Sequence, residues 1–351
     1  LFLTRYGRLG ASSRYRFMQY EQVLRREGIE CHFSPLLDDN YLATRYQGIK
    51  GGPLTFGASA LRRLSKVLTA RQYDVVVLEG EAMPYFPAIL ERFLSLVGVP
   101  YIVDFDDAIF HYYDKSPGRL IRILLGKKIA TVVRKSACVF AGNDYLADYA
   151  RRAGAKEIEL VPTVIDFERY SVERFESGNF TVGWIGSPGS SRYLAAIAGA
   201  LEVVGQDEST RLTLIGAGAD FQLQGITTEM VSWSEETEVK CMQSFNVGIM
   251  PVPDDPWARG KCGLKLIQYM ACGLPVVASP IGVNTEIVEH GINGFLAATD
   301  QEWVDALESL RTQPQLAKQM GEAGRAKVKE KYSLQVTGPQ VAQALKKAAA
   351  K

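Results

Sequence analysis

Short apolar runs alternate with stretches of helical spacing along this chain, and that alternation constrains its fold more than any other feature. A first set of runs covers residues 1–4, 75–78, 101–105, 138–141 and 159–161. A second set covers 181–185, 211–215, 247–249, 276–278 and 294–296. Helical spacing between them includes 14–27, 58–70, 84–97, 120–135, 193–204 and 264–271. Strands that are apolar on both faces, alternating with helices, predict parallel sheets covered by helices on both sides. The chain is therefore expected to be an α/β protein.

The pattern runs twice. Its first pass ends near Pro162-Thr163-Val164-Ile165-Asp166, and a polar stretch at 168–179 precedes the next strand. The boundary is expected at 165–178, without a Pro/Ser-rich linker and so with a short connection suited to a hinge. The expected division is 1–168, 169–332 and a helical tail at 333–351 that either packs back on the first domain or frays. A length of 351 residues suits two such cores.

Composition narrows the function. Apolar residues make up 47% and charged residues 23%, a globular profile. A net charge of +1 gives no bulk attraction to nucleic acid. The five cysteines stand apart and the histidines number three, so packed thiols in a reducing cytoplasm are expected and a His-rich zinc site is not. No apolar run is long enough to cross a bilayer, and no signal peptide is read. The chain opens in an apolar run without an initiator Met, which suggests that a few residues of the first strand are missing.

Two glycine turns follow strands. Gly7-Arg8-Leu9-Gly10-Ala11-Ser12-Ser13-Arg14 precedes a helix and reads as an anion loop or as a plain strand-to-helix turn. It is not GxGxxG, and no acidic residue ends a second strand as NAD binding requires. Trp184-Ile185-Gly186-Ser187-Pro188-Gly189-Ser190-Ser191-Arg192 opens the second half. There Gly186 admits a diphosphate close to the backbone and Arg192 offers it a forked donor set. A tight turn with a surface arginine is the plainer alternative.

The stretch Arg259-Gly260-Lys261-Cys262-Gly263-Leu264-Lys265-Leu266-Ile267-Gln268-Tyr269-Met270-Ala271-Cys272-Gly273-Leu274-Pro275 carries most information. A glycine turn feeds a short helix that Gly273 and Pro275 end. Lys265 and Gln268 share a helix face, and Lys261 falls at or before its start. Cations at a helix start oppose the dipole unless an anion sits there, which argues for a phosphate over a merely solvated basic face.

This stretch resembles the C-terminal signature of the retaining glycosyltransferases of family 4 (glycosyl transferases group 1), which have the GT-B fold. The run from Ser279-Pro280-Ile281-Gly282 to Asn293-Gly294-Phe295-Leu296 is typical of that family, and Val161-Pro162-Thr163-Val164-Ile165-Asp166 resembles its interdomain signature. The resemblance covers nearly the whole chain and implies two Rossmann-like domains with parallel sheets facing across a cleft. It implies that the second domain binds a nucleoside-diphosphate sugar, UDP- or GDP-linked, through Gly186, Ser187, Arg192, Lys261, Lys265 and Gln268. The first domain would bind a saccharide or lipid-linked acceptor through Gly10, Ser12, Ser13, Arg14 and His111. The family's Glu-x7-Glu pair is replaced here by Gly260 and Gln268. Gln268 can still bond ribose hydroxyls, without charge.

Asp104-Phe105-Asp106-Asp107 ends a strand, where ligands of open parallel sheets sit. Acceptor or sugar binding, a structural turn and an Asp-x-Asp metal site are the readings, and the resemblance, to a fold that generally works without metal, favours the first. No metal and no cofactor are expected. Asp106, Asp107 and Lys265 are the expected catalytic groups: the aspartates orient the acceptor, and Lys265, with Arg192 and Lys261, stabilises the departing diphosphate. The segment Arg119-Leu120-Ile121-Arg122-Ile123-Leu124-Leu125-Gly126-Lys127-Lys128-Ile129 mixes cations with apolar residues, suiting peripheral contact with the inner membrane face or a domain helix with basic flanks. The expected activity is transfer of a sugar to a hydroxyl with retention, in bacterial cell-surface polysaccharide or glycoconjugate synthesis. The rivals are a nucleotide-sugar epimerase of the same architecture and a binding homologue that has lost catalysis.

Overall fold

A computed structural model describes residues 1–46, 53–172, 178–218 and 221–350. The chain divides into two units. Unit 1 comprises Leu1–Val164, Arg259–Cys262 and Leu334–Lys351, and unit 2 comprises Ile165–Ala258 and Gly263–Ser333. The changeovers fall at 164/165 and 333/334, and 259–262, expected in the second domain, belongs to unit 1.

Unit 1 holds a parallel sheet of β1 (Phe2–Leu3), β2 (Val76–Glu79), β3 (Tyr101–Phe105), β4 (Cys138–Ala141) and β5 (Ile158–Leu160), in that order. β3 and β4 are buried along their whole length, as continuous apolar runs require. On the far side of β1 the chain adds parallel bridges, Phe2 with Phe33 and Tyr6 with Leu37. The connections therefore leave β1 toward one side and β2 toward the other, which makes the ends of β1 and β2 a topological switch point. The helix Leu334–Ala349 lies in this unit, where Leu334, Val341 and Leu345 join Phe2, Phe17 and Leu24 in one core. Tyr20 and Thr337 bond through their hydroxyls at 2.8 Å.

Unit 2 holds β6 (Phe180–Ile185), β7 (Thr210–Ile215), β8 (Thr227–Val231), β9 (Val247–Met250), β10 (Val276–Ala278) and β11 (Gly294–Leu296). The parallel order is β11-β10-β9-β6-β7-β8, so its switch point lies between β6 and β9. Gly183 and Gly248 sit there because rings cover the sheet: an added Cβ would stand 1.8 Å from the Phe245 ring and 2.2 Å from the Tyr269 ring, respectively. The helix Leu264–Ala271 is thereby laid flat on the sheet, and the Ile185 N–H donates to the Tyr269 hydroxyl at 2.8 Å. That bond ties the helix to the end of β6.

The apolar runs of the sequence match strands, and both sheets are parallel α/β layers as expected. β8 is a strand that the run pattern omits. Its residues, Thr-Thr-Glu-Met-Val, lie at the sheet edge with the outer face in solvent, so burial does not force them to be apolar. The helix expected over 120–135 is two helices, Arg119–Leu125 and Lys128–Lys135, and the one expected over 14–27 is interrupted by a 3₁₀ turn at Met18–Tyr20.

Candidate functional site

In unit 2 the end of β6 passes into the turn Gly186–Ser190. The Ser187 N–H donates to Ser190 Oγ at 3.1 Å, closing the turn before the short helix Pro188–Ser191. Gly186 has an internal reason to be glycine: a Cβ would stand 2.4 Å from the Trp184 indole. Next to it, Gly216 and Gly218 follow β7 with φ of 74° and 95°, and a Cβ at Gly216 would stand 2.5 Å from the Gly186 carbonyl. These two glycines went unread in the sequence.

Lys265 is brought to this turn by its helix. Its Nζ lies 4.3 Å from the Trp184 ring centroid and 3.5 Å from Ser190 Oγ. An indole face attracts an ammonium by roughly 0.5–2 kcal/mol, which holds the cation at the strand end. Arg192 is exposed, with its guanidinium 5.2 Å from the Tyr193 ring centroid. Gln268 differs from expectation. It is buried at 3% exposure and its Nε2 donates to the Tyr170 hydroxyl at 3.2 Å, because the face it shares with Lys265 turns into the core by its position.

Lys261 also differs from expectation. The sequence groups it with the helix face of Lys265, but the left-handed Gly263 (φ 68°) separates it from that helix, and it belongs to unit 1. There Asn143 Nδ2 donates to the carbonyls of Gly260 and Lys261 at 3.1 and 3.0 Å. The Cys262 thiol donates to the Asp106 carbonyl at 3.1 Å. Lys261 Nζ then stands 3.6 Å from Asp107. Burial pushes the Asp107 carboxyl up to about 6; Lys261 opposes that and Asp106 adds to it. Gly260, where the family has its first glutamate, packs on the chain: a Cβ would stand 2.8 Å from the Ala108 backbone nitrogen.

The other carboxylates of this strand-end cluster have structural partners. Asp104 takes Arg16 in a two-pronged pair, Nε at 3.0 Å and a second nitrogen at 2.5 Å, with both side chains almost fully buried. Arg16 also donates to the Val161 carbonyl at 2.7 Å. Asp104 is therefore committed to the fold. Glu79, at the end of β2, was unread in the sequence. Its Oε2 accepts from Ser13 Oγ at 2.6 Å and from the Arg5 N–H at 2.7 Å, partners too far away in sequence for spacing to reveal. Burial, then the charge of Asp106, raises Glu79 to about 7.

The first glycine turn is accordingly a braced loop. Ser13 is buried and bonded to Glu79, and Arg14 is buried and donates to the Arg8 carbonyl at 2.8 Å, so neither side chain is presented to an acceptor as expected. Gly10 caps the helix Ala11–Arg16, and a Cβ on it would meet Tyr6 at 2.4 Å. Ser12 is half-buried in the first turn of that helix. His111 is held at both ring nitrogens, by Asp114 and by the Tyr145 hydroxyl, each at 2.8 Å.

Known proteins agree with this architecture. Residues 18–163 match the family described as glycosyl transferase 4-like domain, and residues 180–313 match glycosyl transferases group 1. HepE from Anabaena, solved in complex with UDP and glucose, superposes with a TM-score of 0.73 at 16% identity over 98% of both chains. Sucrose-phosphate synthase from Thermosynechococcus elongatus gives 0.70 at 15% identity over 99% and 98%. Two doubly wound parallel sheets of this kind define the GT-B class. With a glycosyltransferase model matched in each half, the chain belongs to the GT-B glycosyltransferases. In sequence, human alpha-1,3/1,6-mannosyltransferase ALG2 is 42% identical over 67 residues, 19% of this chain and 16% of the relative. D-inositol 3-phosphate glycosyltransferase of Pseudarthrobacter chlorophenolicus is 30% identical over 105 residues, 29% of this chain and 22% of the relative. The matched stretches thus span less than a quarter of those relatives' lengths.

Proposed function

We propose that this chain transfers a sugar from a nucleoside diphosphate to an acceptor hydroxyl with retention at the anomeric carbon. Unit 2 binds the donor and unit 1 the acceptor. The observation that carries the reading is Lys265, fixed over Trp184 beside Ser190 at the strand ends of the unit 2 switch point, where such sheets bind ligands. The bond between the anomeric carbon and the diphosphate oxygen breaks, and its electron pair leaves with the diphosphate. Lys265 and Arg192 stabilise that charge, and Gly186, Ser187, Gly216 and Gly218 give it backbone at close range. The acceptor oxygen bonds to the anomeric carbon on the face the diphosphate leaves, and its hydroxyl proton passes to the Asp107 carboxylate, which with Asp106 orients that hydroxyl by accepting its hydrogen bond. Lys261 acts through Asp107. Gln268 shapes the floor of the donor site from within the core.

The solved likeness to a protein bound to UDP favours a uridine donor. Incubation with UDP-glucose, GDP-mannose and a panel of saccharide and lipid-linked acceptors, with the product's anomeric configuration read by NMR, tests the reading. Product of the donor's configuration supports it. Inverted product removes retention, and donor turnover without any acceptor transfers the chain to the epimerase reading. A place in cell-surface polysaccharide or glycoconjugate synthesis at the cytoplasmic membrane face follows from a lipid-linked acceptor being the substrate that works.

A further inference from the structure

The helix Arg119–Leu125 of unit 1 buries Leu125 but leaves Leu120, Ile123 and Leu124 at 73%, 66% and 74% exposure. Three large aliphatic side chains in adjacent turns of one helix exceed the single exposed apolar residues of an ordinary surface. Their setting is basic. Lys115, Arg119, Arg122 and Lys127 are all exposed, and no acidic residue occurs from Lys115 to Lys127. The helix is held firmly at both ends. Arg122 donates to the Pro117 carbonyl at 3.0 Å, and Lys128 just beyond it is buried in an ion pair with Glu81. The residues before it add exposed Tyr112, and exposed Tyr85 lies edge to face with Tyr113 at a centroid distance of 5.6 Å.

Apolar side chains flanked by cations and by amphipathic rings match an interface where acyl chains lie under anionic headgroups. A second copy of the chain is a poor occupant, since a two-fold contact would set Arg119, Arg122 and Lys127 against their own equivalents. We propose that the face formed by Leu120, Ile123 and Leu124 with Arg119, Arg122 and Lys127 docks the protein on an anionic lipid surface. The inference rests on unit 1 alone and is independent of the sugar-transfer reading. It places unit 1 where a lipid-linked hydroxyl would be presented.

The test is sedimentation of the full chain with vesicles of mixed phosphatidylcholine and phosphatidylglycerol, against vesicles of phosphatidylcholine alone, without donor. Binding to the mixed vesicles only, weakened by added salt, is expected. Arg119→Gln with Lys127→Gln should weaken it about 25-fold, at about fivefold for each basic residue near the surface. Leu120→Ser with Ile123→Ser and Leu124→Ser should weaken it about tenfold or more. All five side chains are exposed, so the thermal midpoint should stay that of the parent, and it serves as the folding control. Equal binding to both vesicle types, or retained binding by the triple serine variant, overturns the proposal. So does a parent that is dimeric in solution while the triple variant is monomeric, because the face is then an interface between copies.

Discussion

Lys261 places its ammonium 3.6 Å from the Asp107 carboxylate, and both residues belong to unit 1. The pair exists because Asn143 fixes the backbone of 260 and 261 and Cys262 fixes the backbone of 106. A segment from far along the chain thus sets the charge of the carboxylates that we assign to the acceptor.

Asp107→Asn should lower transfer by about 100-fold, the usual scale of a positioned proton-handling group, with little change in donor affinity. Steady-state rates beside calorimetric titration with the nucleoside diphosphate read both quantities. Full activity would remove Asp107 from the mechanism.

Gly260→Glu restores the family's first glutamate on paper, yet it should cost stability. Its Cβ would press on the Ala108 nitrogen at 2.8 Å, and overpacking against backbone costs about 1–3 kcal/mol. Urea denaturation measures the loss, and a variant as stable as the parent would show that the 259–262 segment is seated differently.

The pair of Arg16 and Asp104 is structural. Asp104→Asn leaves a buried guanidinium without its counter-charge and should destabilise the chain by about 3–5 kcal/mol. Replacing both residues with apolar ones of similar volume should recover most of that loss in the same denaturation assay. If the single change proves neutral, the pair does not hold unit 1 together.

Stability should also depend on pH with a definite sign. Glu79 stands at about 7, against an ordinary 4.5, and Asp107 at about 6, against 3.8. The folded chain binds these protons more tightly than the unfolded chain, so their contribution is full below about pH 4 and is lost as pH rises through 6 to 7. Glu79→Gln should flatten its own share, roughly 2–3 kcal/mol between pH 4.5 and 8. Thermal midpoints across that range decide it, and a midpoint that rises with pH equally in both proteins would contradict the assignment.

Much of this was legible in the sequence where burial dictates residue type. β3, β4, β9 and β10 are apolar on both faces and read directly as buried parallel strands. The helix that carries Lys265 was legible because the apolar spacing and the following Gly273 and Pro275 define it. Lys261 was not, since its placement turns on the left-handed Gly263 and on Asn143, more than a hundred residues earlier in the chain. Glu79 was not read, for the same reason: a buried carboxylate is defined by partners that the fold supplies, here Ser13, and local spacing holds no trace of them. Gln268 shows the limit of helical-face arguments, because sharing a face with a lysine does not say whether that residue meets solvent or the core.

Calorimetric titration of UDP and GDP into the parent and into Lys265→Ala tests the central claim most directly. A charge-assisted contact to phosphate contributes about 1.5–3 kcal/mol, so the account predicts a loss of affinity of about 10–100-fold, with the thermal midpoint of the free protein shifted by only a few degrees for the lost contact with Trp184. Equal affinity of the two proteins for the diphosphate would contradict the assignment of unit 2 as the donor site.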